Sequence, residues 1–333
     1  MTKRRNFLKT AGAVGAAGLI AGCSGNTNNG SDGDGEGDGE GDATETATST
    51  PVPFGDGRAT FYMSPSEPQQ LMEAQYAPVQ EMLESDLDVN SATLQYAAGY
   101  SAVLQSLGGG TGDIAETGPF AAALGVANDR CDIILQRFGY GSWTYASVIV
   151  TQEGSDIESL SDLEGERVAF ADRLSASGAL YPLYMLKQAG LSIGDLPTDT
   201  GDADFTPQFS SHAEAFAALE RGQVAAAGVG QFITLNDNRE LIDGFRYVET
   251  TEDIPRAPIV VSPELSDEEQ TAVKEAFLDA GDELYLGEDG EADTEDDLWF
   301  SDVREADNET YQPVVDVAND LGVSAELLDS GGS

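Results

Sequence analysis

The chain has 333 residues, and 60 Asp and Glu side chains against 16 Lys and Arg give it a formal net charge of −44. This balance argues against a nucleic-acid partner, because no basic face is present to neutralise phosphates. Since 40% of the residues are hydrophobic, the acidity indicates a charged coat around a folded core, as in proteins adapted to high salt.

The first residues form a candidate export signal. Arg4 and Arg5 precede the apolar run "TAGAVGAAGLIAGC", which is too short to span a bilayer. The segment resembles a twin-arginine signal ending in a lipobox, and this resemblance implies cleavage after residues 1–22 and acylation of Cys23. The mature protein is then expected on the outer face of the cytoplasmic membrane, anchored by lipid. Only Cys131 would keep a free thiol, so no intrachain disulfide is expected.

An acidic tether over residues 23–57 precedes the folded part. Its Gly, Asp, Thr and Pro residues bury almost no apolar surface, so an extended and solvated segment is predicted. From Arg58 onward, strand-like and helical stretches alternate. The predicted strands of this first series are "RATFYM", "SATLQYAA", "DIAET", "CDIILQRFG" and "YASVIVTQ", and the predicted helices include "YSAVLQSLGGG" and "AAALGVAN".

The same alternation restarts after position 150. It contains the strands "RVAFA", "QVAAAGVG" and "DIPRAPIVV" and the helices "SGALYPLYMLKQAG", "HAEAFAALERG" and "SDEEQTAVKEAFLDAG". Two such series predict an α/β fold of two lobes, with mixed sheets flanked by helices. Lobe 1 is predicted to comprise residues 58–150 and 252–333, and lobe 2 residues 151–251. Crossing strands near 148–152 and 248–258 would join them.

A loop of small hydroxylated residues follows the predicted strand "RVAFA". It places Ser175 and Ser177 directly before a helix, whose unpaired amides and positive dipole end point to the same place. Such an arrangement binds an oxyanion without Lys or Arg. The alternative is an ordinary N-cap, since serine is common before helices.

Four residues elsewhere are further candidates, each with a structural alternative. His212 is the single histidine and opens a predicted helix, where it could donate to an anion, although a lone histidine is usually a surface residue or one with its hydrogen bonds satisfied. Tyr100 opens another helix and Tyr145 precedes a strand near the crossing, although aromatic residues often serve only in packing. Thr117 comes before a helix that starts at Pro119, which is also typical of a plain turn.

The order of these motifs resembles the phosphate, phosphite and phosphonate binding proteins of ABC importers, the PhnD-like branch of the type II solute-binding proteins. The resemblance covers roughly residues 58–282 and includes "GYSAVLQSL", "DIAETGPF", "WTYASVIV" and "FSSHAEAFAALERGQVAAAGV". It implies a ligand held in the cleft between the lobes by Tyr100, Tyr145, Ser175, Ser177 and His212, with the Gly178 amide as a further donor. Thr117 could contribute from the first lobe.

The chain departs from the family pattern at two positions. The family's "STSG" loop is Ser175, Ala176, Ser177 and Gly178 here, so the middle hydroxyl is missing. Ala225 stands where phosphonate binders carry an acidic residue. That second change favours phosphate, phosphite or a simple alkylphosphonate over a ligand with an amino group.

The resemblance implies a monomeric, non-enzymatic receptor that needs no cofactor and delivers its ligand to an ABC permease in the membrane. Receptors for sulfonate, nitrate or thiamine precursors remain alternatives, as does a surface interaction protein without a small ligand. Asp172, Ser175 and His212 offer the residue types of a hydrolase, but no G-x-S-x-G motif is present. A single histidine argues against a His-rich metal centre. Residues 287–297 lack the spacing of a calcium loop, so a solvated acidic loop is predicted.

Overall fold

The computed structural model describes residue 54 and residues 56–199, 201–236, 238–323 and 326–329. The signal peptide, Cys23 and most of the tether therefore lie outside the described residues. No helix in the described ranges is long and apolar enough to cross a membrane.

Strands and helices alternate along the described chain as the sequence predicted. The strands are β1 Arg58–Met63, β2 Ser91–Tyr96, β3 Ile114–Glu116, β4 Asp132–Gly139, β5 Thr144–Gln152, β6 Arg167–Phe170, β7 Thr206–Phe209, β8 Ala226–Gly230, β9 Phe245–Pro255, β10 Pro258–Val261 and β11 Phe300–Glu305. The helices are α1 Gln69–Gln75, α2 Ala77–Asp86, α3 Tyr100–Gly108, α4 Pro119–Ala127, α5 Tyr181–Gln188, α6 His212–Glu220, α7 Asp267–Leu278, α8 Gln312–Leu321 and α9 Glu326–Asp329.

These strands form two mixed sheets. The first has six strands in the order β11–β4–β10–β3–β1–β2, and the second has five in the order β7–β6–β8–β5–β9. β1 is parallel to β2 and β3, and β6 is parallel to β7 and β8, whereas the remaining pairs are antiparallel. In the parallel part of each sheet, one or two helices lie between consecutive strands and connect them. Parallel strands need such crossover connections.

The chain changes sheets twice, and the first change lies earlier than predicted. β4 ends at Gly139 in the first sheet and β5 begins at Thr144 in the second, while β9 ends at Pro255 and β10 begins at Pro258. The predicted crossing near 148–152 is therefore wrong, because these residues lie in the middle of β5 and pair with β8 and β9. Their continuous apolar run reflects a central strand buried on both faces. The second change falls inside the predicted range 248–258.

One apolar cluster joins the helices of the two sheets. It contains Phe120 of α4 from the first sheet, Leu180 and Tyr181 from the second, and Val314 of α8. α8 packs against both α4 and α5, and Lys187 of α5 donates to the Asp320 carbonyl of α8. Helices from both halves of the chain thus share one core.

Cys131 belongs to the same buried cluster. Its side chain is fully packed, and burial raises the pKa of the thiol above its usual range. Cys131 forms no disulfide, and a protonated, inaccessible thiol is chemically inert.

A buried ion pair links two strands of the first sheet, β3 and β4. Arg137 of β4 lies 2.9 Å from the Glu116 carboxylate of β3, and both side chains are at most 3% exposed. The guanidinium also donates to the Tyr76 hydroxyl and to the Ala257 carbonyl, at 3.0 and 3.1 Å. Ser64 donates its amide and hydroxyl to Glu116 as well. Every charge in this group is therefore paired, which burial requires.

We expect Glu116→Ala to lower the free energy of unfolding by about 3–5 kcal/mol, because it leaves a buried guanidinium without its partner. Urea unfolding in molar salt measures the change. Glu305→Ala is the matched control, since it breaks the exposed pair with Lys274 and is expected to cost less than about 1 kcal/mol. Equal losses in the two variants would contradict the assigned role of the buried pair.

Candidate functional site

A cavity of about 430 Å³ is lined by residues of both sheets and of the segments that connect them. Six of the seven predicted ligand residues lie on its wall: Tyr100, Thr117, Tyr145, Ser175, Ser177 and His212. They come from five separate places in the chain, and the fold brings them together. A cavity of this size is within the usual range for small-molecule sites.

The loop after β6 forms one end of the cavity. Ser175 caps the wide turn Ala176–Leu180 that leads into α5, and its Oγ accepts from the Gly178 amide at 3.0 Å. Such wide turns are frequent at functional sites. The N-cap alternative for Ser175 is thus correct, and it does not exclude ligand contact, because Ser175 and Ser177 both line the cavity.

The Gly178 amide differs from the prediction. It donates to Ser175 instead of pointing to a ligand, and Gly178 is absent from the cavity wall. The residue is needed for another reason, since a Cβ there would lie 2.2 Å from the Ala171 Cβ and 2.7 Å from His212 Cε1. Glycine therefore lets the imidazole approach the loop.

His212 is held as a neutral imidazole. It is the first residue of α6, behind the Ser211 N-cap, and its Nδ1 accepts from the Gly230 amide at 3.1 Å. Burial lowers the pKa of His212 to about 4, so the ring is uncharged at neutral pH. With Nδ1 acting as an acceptor, the proton lies on Nε2, which is 3.1 Å from Ser175 Oγ.

These bonds fix the direction of the Ser175 hydroxyl. Its oxygen accepts from His212 Nε2–H and from the Gly178 amide, which occupies both lone pairs. The hydroxyl proton is then left to donate into the cavity. Acid–base chemistry at Ser175 is disfavoured by the same arrangement, because the imidazole offers it a proton instead of accepting one.

Two tyrosines and a threonine supply further donors. Desolvation raises the pKa of the Tyr145 phenol, and the neighbouring Ser177 offsets this rise only in part. Burial and the nearby Glu116 carboxylate raise the pKa of Tyr100, so both phenols keep their protons. Thr117 is fully buried, and its Oγ1 has no hydrogen-bond partner among the described residues. A buried hydroxyl of this kind on a cavity wall is available to a polar partner in the cavity.

The sequence analysis missed much of the wall, including three polar or aromatic residues. Gln75 of α1 has a buried Oε1 without a partner among the described residues, while its Nε2 donates to the Asp297 carbonyl. Trp299 lies under the Arg137 guanidinium, 4.6 Å from ring centroid to Cζ. Arg256 comes from the segment between β9 and β10. The arginine in "DIPRAPIVV" was the one available signal, since it interrupts an otherwise apolar stretch.

The acidic segment 287–297 is only partly the solvated loop that was predicted. Its first half is largely exposed, but Thr294, Glu295 and Asp297 line the cavity, followed by Leu298. Asp297 is held by its own loop, because its carboxylate accepts from the Asp293 and Thr294 amides. The segment therefore forms part of the wall.

We expect the imidazole of His212 to titrate with a pKa near 4 and to carry its neutral-state proton on Nε2. Because this pKa lies below the unfolded value of about 6.5, the unfolded state binds more protons between these pH values, and folding stability falls as the pH drops through them. Nitrogen NMR of the single histidine measures both the pKa and the tautomer. A midpoint near 6.5, or a proton on Nδ1, would show that the Ser175 geometry is wrong.

Family and structural comparisons agree with the fold and with the export signal. A model of the twin-arginine translocation signal matches residues 1–21. Residues 61–311 match the model of the periplasmic substrate-binding proteins of phosphonate ABC transporters. The phosphate-import protein PhnD of Mycolicibacterium smegmatis is 29% identical over 168 residues, which span 49% of this chain and 51% of the relative.

Two solved structures share the fold. The binding-protein component of an ABC phosphonate transporter from Pseudomonas aeruginosa is 21% identical, with a TM-score of 0.63 over 80% of this chain and 86% of that one. PhnD1 from Prochlorococcus marinus in complex with methylphosphonate is 17% identical, with a TM-score of 0.62 over 80% of this chain and 98% of that one. These neighbours confirm the predicted two-lobed α/β fold. The chain belongs to the family of periplasmic substrate-binding proteins of phosphonate ABC transporters.

Proposed function

We propose that this protein is the lipid-anchored receptor of an ABC importer and captures a phosphorus oxyanion outside the cytoplasmic membrane. The observation that carries the proposal is the Ser175 hydroxyl, whose proton is directed into a cavity by two hydrogen bonds to its oxygen. Ser177, Tyr145 and Tyr100 add protonated hydroxyls to the same wall. An oxyanion accepts all of these bonds.

A tetrahedral oxyanion suits this set of donors better than the alternatives do. The donors come from two sheets and so approach the ligand from several directions, whereas planar nitrate accepts in a single plane. A thiamine precursor would leave buried hydroxyls such as Thr117 unpaired, which is costly. The named ligands of the relatives, phosphate and methylphosphonate, are both tetrahedral phosphorus oxyanions. A sulfonate is the alternative that shares this geometry.

Ligand capture would depend on closing the two lobes over the cavity. The half of the chain around the second sheet supplies Ser175, Ser177 and His212. The half around the first sheet supplies Tyr100 and Thr117. A ligand that contacts both halves would favour the closed form. Closure excludes water, which strengthens each hydrogen bond to the anion. The permease would then recognise the closed form.

We expect the full chain to bind at least one of phosphate, phosphite and methylphosphonate in molar salt, and to bind sulfate and nitrate far more weakly. In the double variant Ser175→Ala, Ser177→Ala, affinity should fall by about a hundredfold or more, since each bond to a charged ligand contributes about 1.5–3 kcal/mol. Isothermal calorimetry measures both effects.

Ser161→Ala is the matched control, because Ser161 is exposed and lies outside the cavity. The Ser175 and Ser177 hydroxyls proposed to hold the anion are called the cradle. Unchanged affinity in the double variant would refute this assignment. Absence of binding to every phosphorus compound would refute the proposed ligand class, and tight binding of sulfate or nitrate would replace it.

The lipid anchor has its own test. If Cys23 is the acylated first residue of the mature protein, the mass of the mature N-terminal peptide should exceed that of the unmodified sequence by a diacylglycerol group. Mass spectrometry of protein extracted from its native membrane measures this. An N-terminus at another residue, or an unmodified Cys23, would remove the anchor from the proposal.

A further inference from the structure

Two buried side-chain atoms have no hydrogen-bond partner among the described residues, and both belong to residues on the wall of the same cavity. They are Oε1 of Gln75 and Oγ1 of Thr117. Proteins rarely leave a buried polar atom unpaired, because its lost bonds to water are then not replaced. Both atoms are therefore positioned to bind a partner that occupies the cavity.

The two atoms differ in the partner that they can take. The Thr117 hydroxyl can donate or accept, whereas an amide oxygen only accepts. The orientation of the Gln75 amide follows from its other bond, since Nε2 donates to the Asp297 carbonyl at 3.2 Å and a carbonyl cannot donate in return. Only 6% of Gln75 is exposed. Gln75 Oε1 is thus a buried acceptor that needs a donor.

Glu116, a buried acceptor on the same wall, shows the contrast. Its carboxylate forms the ion pair with Arg137, which also donates to the Tyr76 hydroxyl. The amide and the hydroxyl of Ser64 donate to Glu116 as well. The protein therefore satisfies this carboxylate with its own donors. It provides no such donor for Gln75 Oε1 among the described residues.

An unpaired acceptor on the wall of an oxyanion site discriminates between anions. The cradle hydroxyls suit any oxyanion, because every oxygen of the anion accepts. A fully ionised anion offers Gln75 Oε1 only further acceptors, so the lone pairs repel and the amide oxygen stays unpaired once closure expels water. An anion that also carries an O–H group can pair with this oxygen. The penalty against the wrong ligand thus contributes to specificity.

We propose that Gln75 selects an anion that also carries an O–H group, with the cradle binding its oxygens and Gln75 Oε1 accepting its hydrogen. This inference rests on the proposed function and narrows the ligand class within it. Two ligand groups supply the donor. One is the acid O–H of a singly protonated phosphate, phosphite or phosphonate, and the other is an alcohol on the carbon chain of the ligand. Simple sulfonates share the tetrahedral geometry but carry no O–H at neutral pH, so they are excluded.

The test compares methylphosphonate with methanesulfonate, which share a shape and differ in the acid O–H, by calorimetry on the full chain in molar salt. The wild-type protein should bind methylphosphonate about tenfold or more tightly. In Gln75→Leu, which removes the acceptor at similar volume, methylphosphonate affinity should fall and this preference should shrink about tenfold. Because the ligand charges are the same for both proteins, the change in preference reports the lost acceptor.

A second ligand pair distinguishes the two sources of the donor. Ethanesulfonate and 2-hydroxyethanesulfonate differ in an alcohol, and neither carries an acid O–H. A preference for the hydroxylated sulfonate that Gln75→Leu abolishes would identify an alcohol as the donor. A preference that appears only in the first pair would identify the acid O–H.

Gln80→Leu is the matched control. It also loses a bond from Nε2 to a backbone carbonyl, that of Ala92 at 2.9 Å, but Gln80 does not line the cavity, so both preferences should stay as in the wild type. Thermal unfolding checks that the variants are folded. Gln75→Met provides a second variant without the acceptor if Gln75→Leu does not fold.

Two results would overturn the inference. One is equal affinity of the wild-type protein for the two members of each pair. The other is a folded Gln75 variant that keeps the wild-type preferences, including one that loses affinity for both members of a pair in parallel, since Gln75 would then have a structural role alone. If methylphosphonate binds in either case, only this inference fails. If no phosphorus compound binds the wild-type protein, the proposed function fails as well.

Discussion

The chemistry of the cavity depends on one constraint, the neutral state of the buried His212 ring. A protonated imidazole would lose the bond from the Gly230 amide, because Nδ1 could no longer accept it. The ring would then be free to turn, and Ser175 would lose the donor that orients its hydroxyl. Three chain segments meet at this point: the end of β8, the start of α6 and the loop after β6. Each is positioned by the second sheet, so the precision of the cradle comes from the sheet.

Under the proposed function, the remainder of the site has to hold an anion in a protein with a formal charge of −44. At molar salt the screening length is only about 3 Å, so distant carboxylates have little influence on the cavity. The side chains of the cavity wall have the larger influence. Hydroxyl-bearing side chains outnumber charged ones there, and the Glu116 charge is neutralised by Arg137. The buried ion pair therefore stabilises the first sheet and also removes a repulsive charge from the ligand's surroundings. Acidic surface and anion site can coexist because they act over different distances.

Local sequence patterns predicted most elements but not their long-range placement. β1 matches "RATFYM" residue for residue, and α7 lies within the predicted helix "SDEEQTAVKEAFLDAG". The alternation of apolar strands cannot show which sheet a strand joins, which is why the first sheet change was placed inside β5. That Ser175 and Ser177 share a cavity wall was predictable, because they lie two residues apart in one loop before a helix.

The other walls of the cavity follow from tertiary contacts that leave no local trace. Gln75 lies in a helix, Trp299 in an acidic stretch and Arg256 in a strand connection, and only the charge of Arg256 stands out from its sequence surroundings. Gly178 differs, because the motif drew attention to its amide as a ligand donor. In the structure this amide donates to Ser175 Oγ instead. A sequence motif fixes which groups are present, whereas packing decides which of them remain unpaired.

The buried thiol of Cys131 has a practical consequence for observing the protein at work. Because this sulfur is packed against the core of α4 and stays protonated, it will not compete for thiol-reactive dyes. In a chain with Cys23 replaced, one cysteine introduced on the surface of each half would carry the fluorescent labels alone. Distances between the halves could then be followed in single molecules.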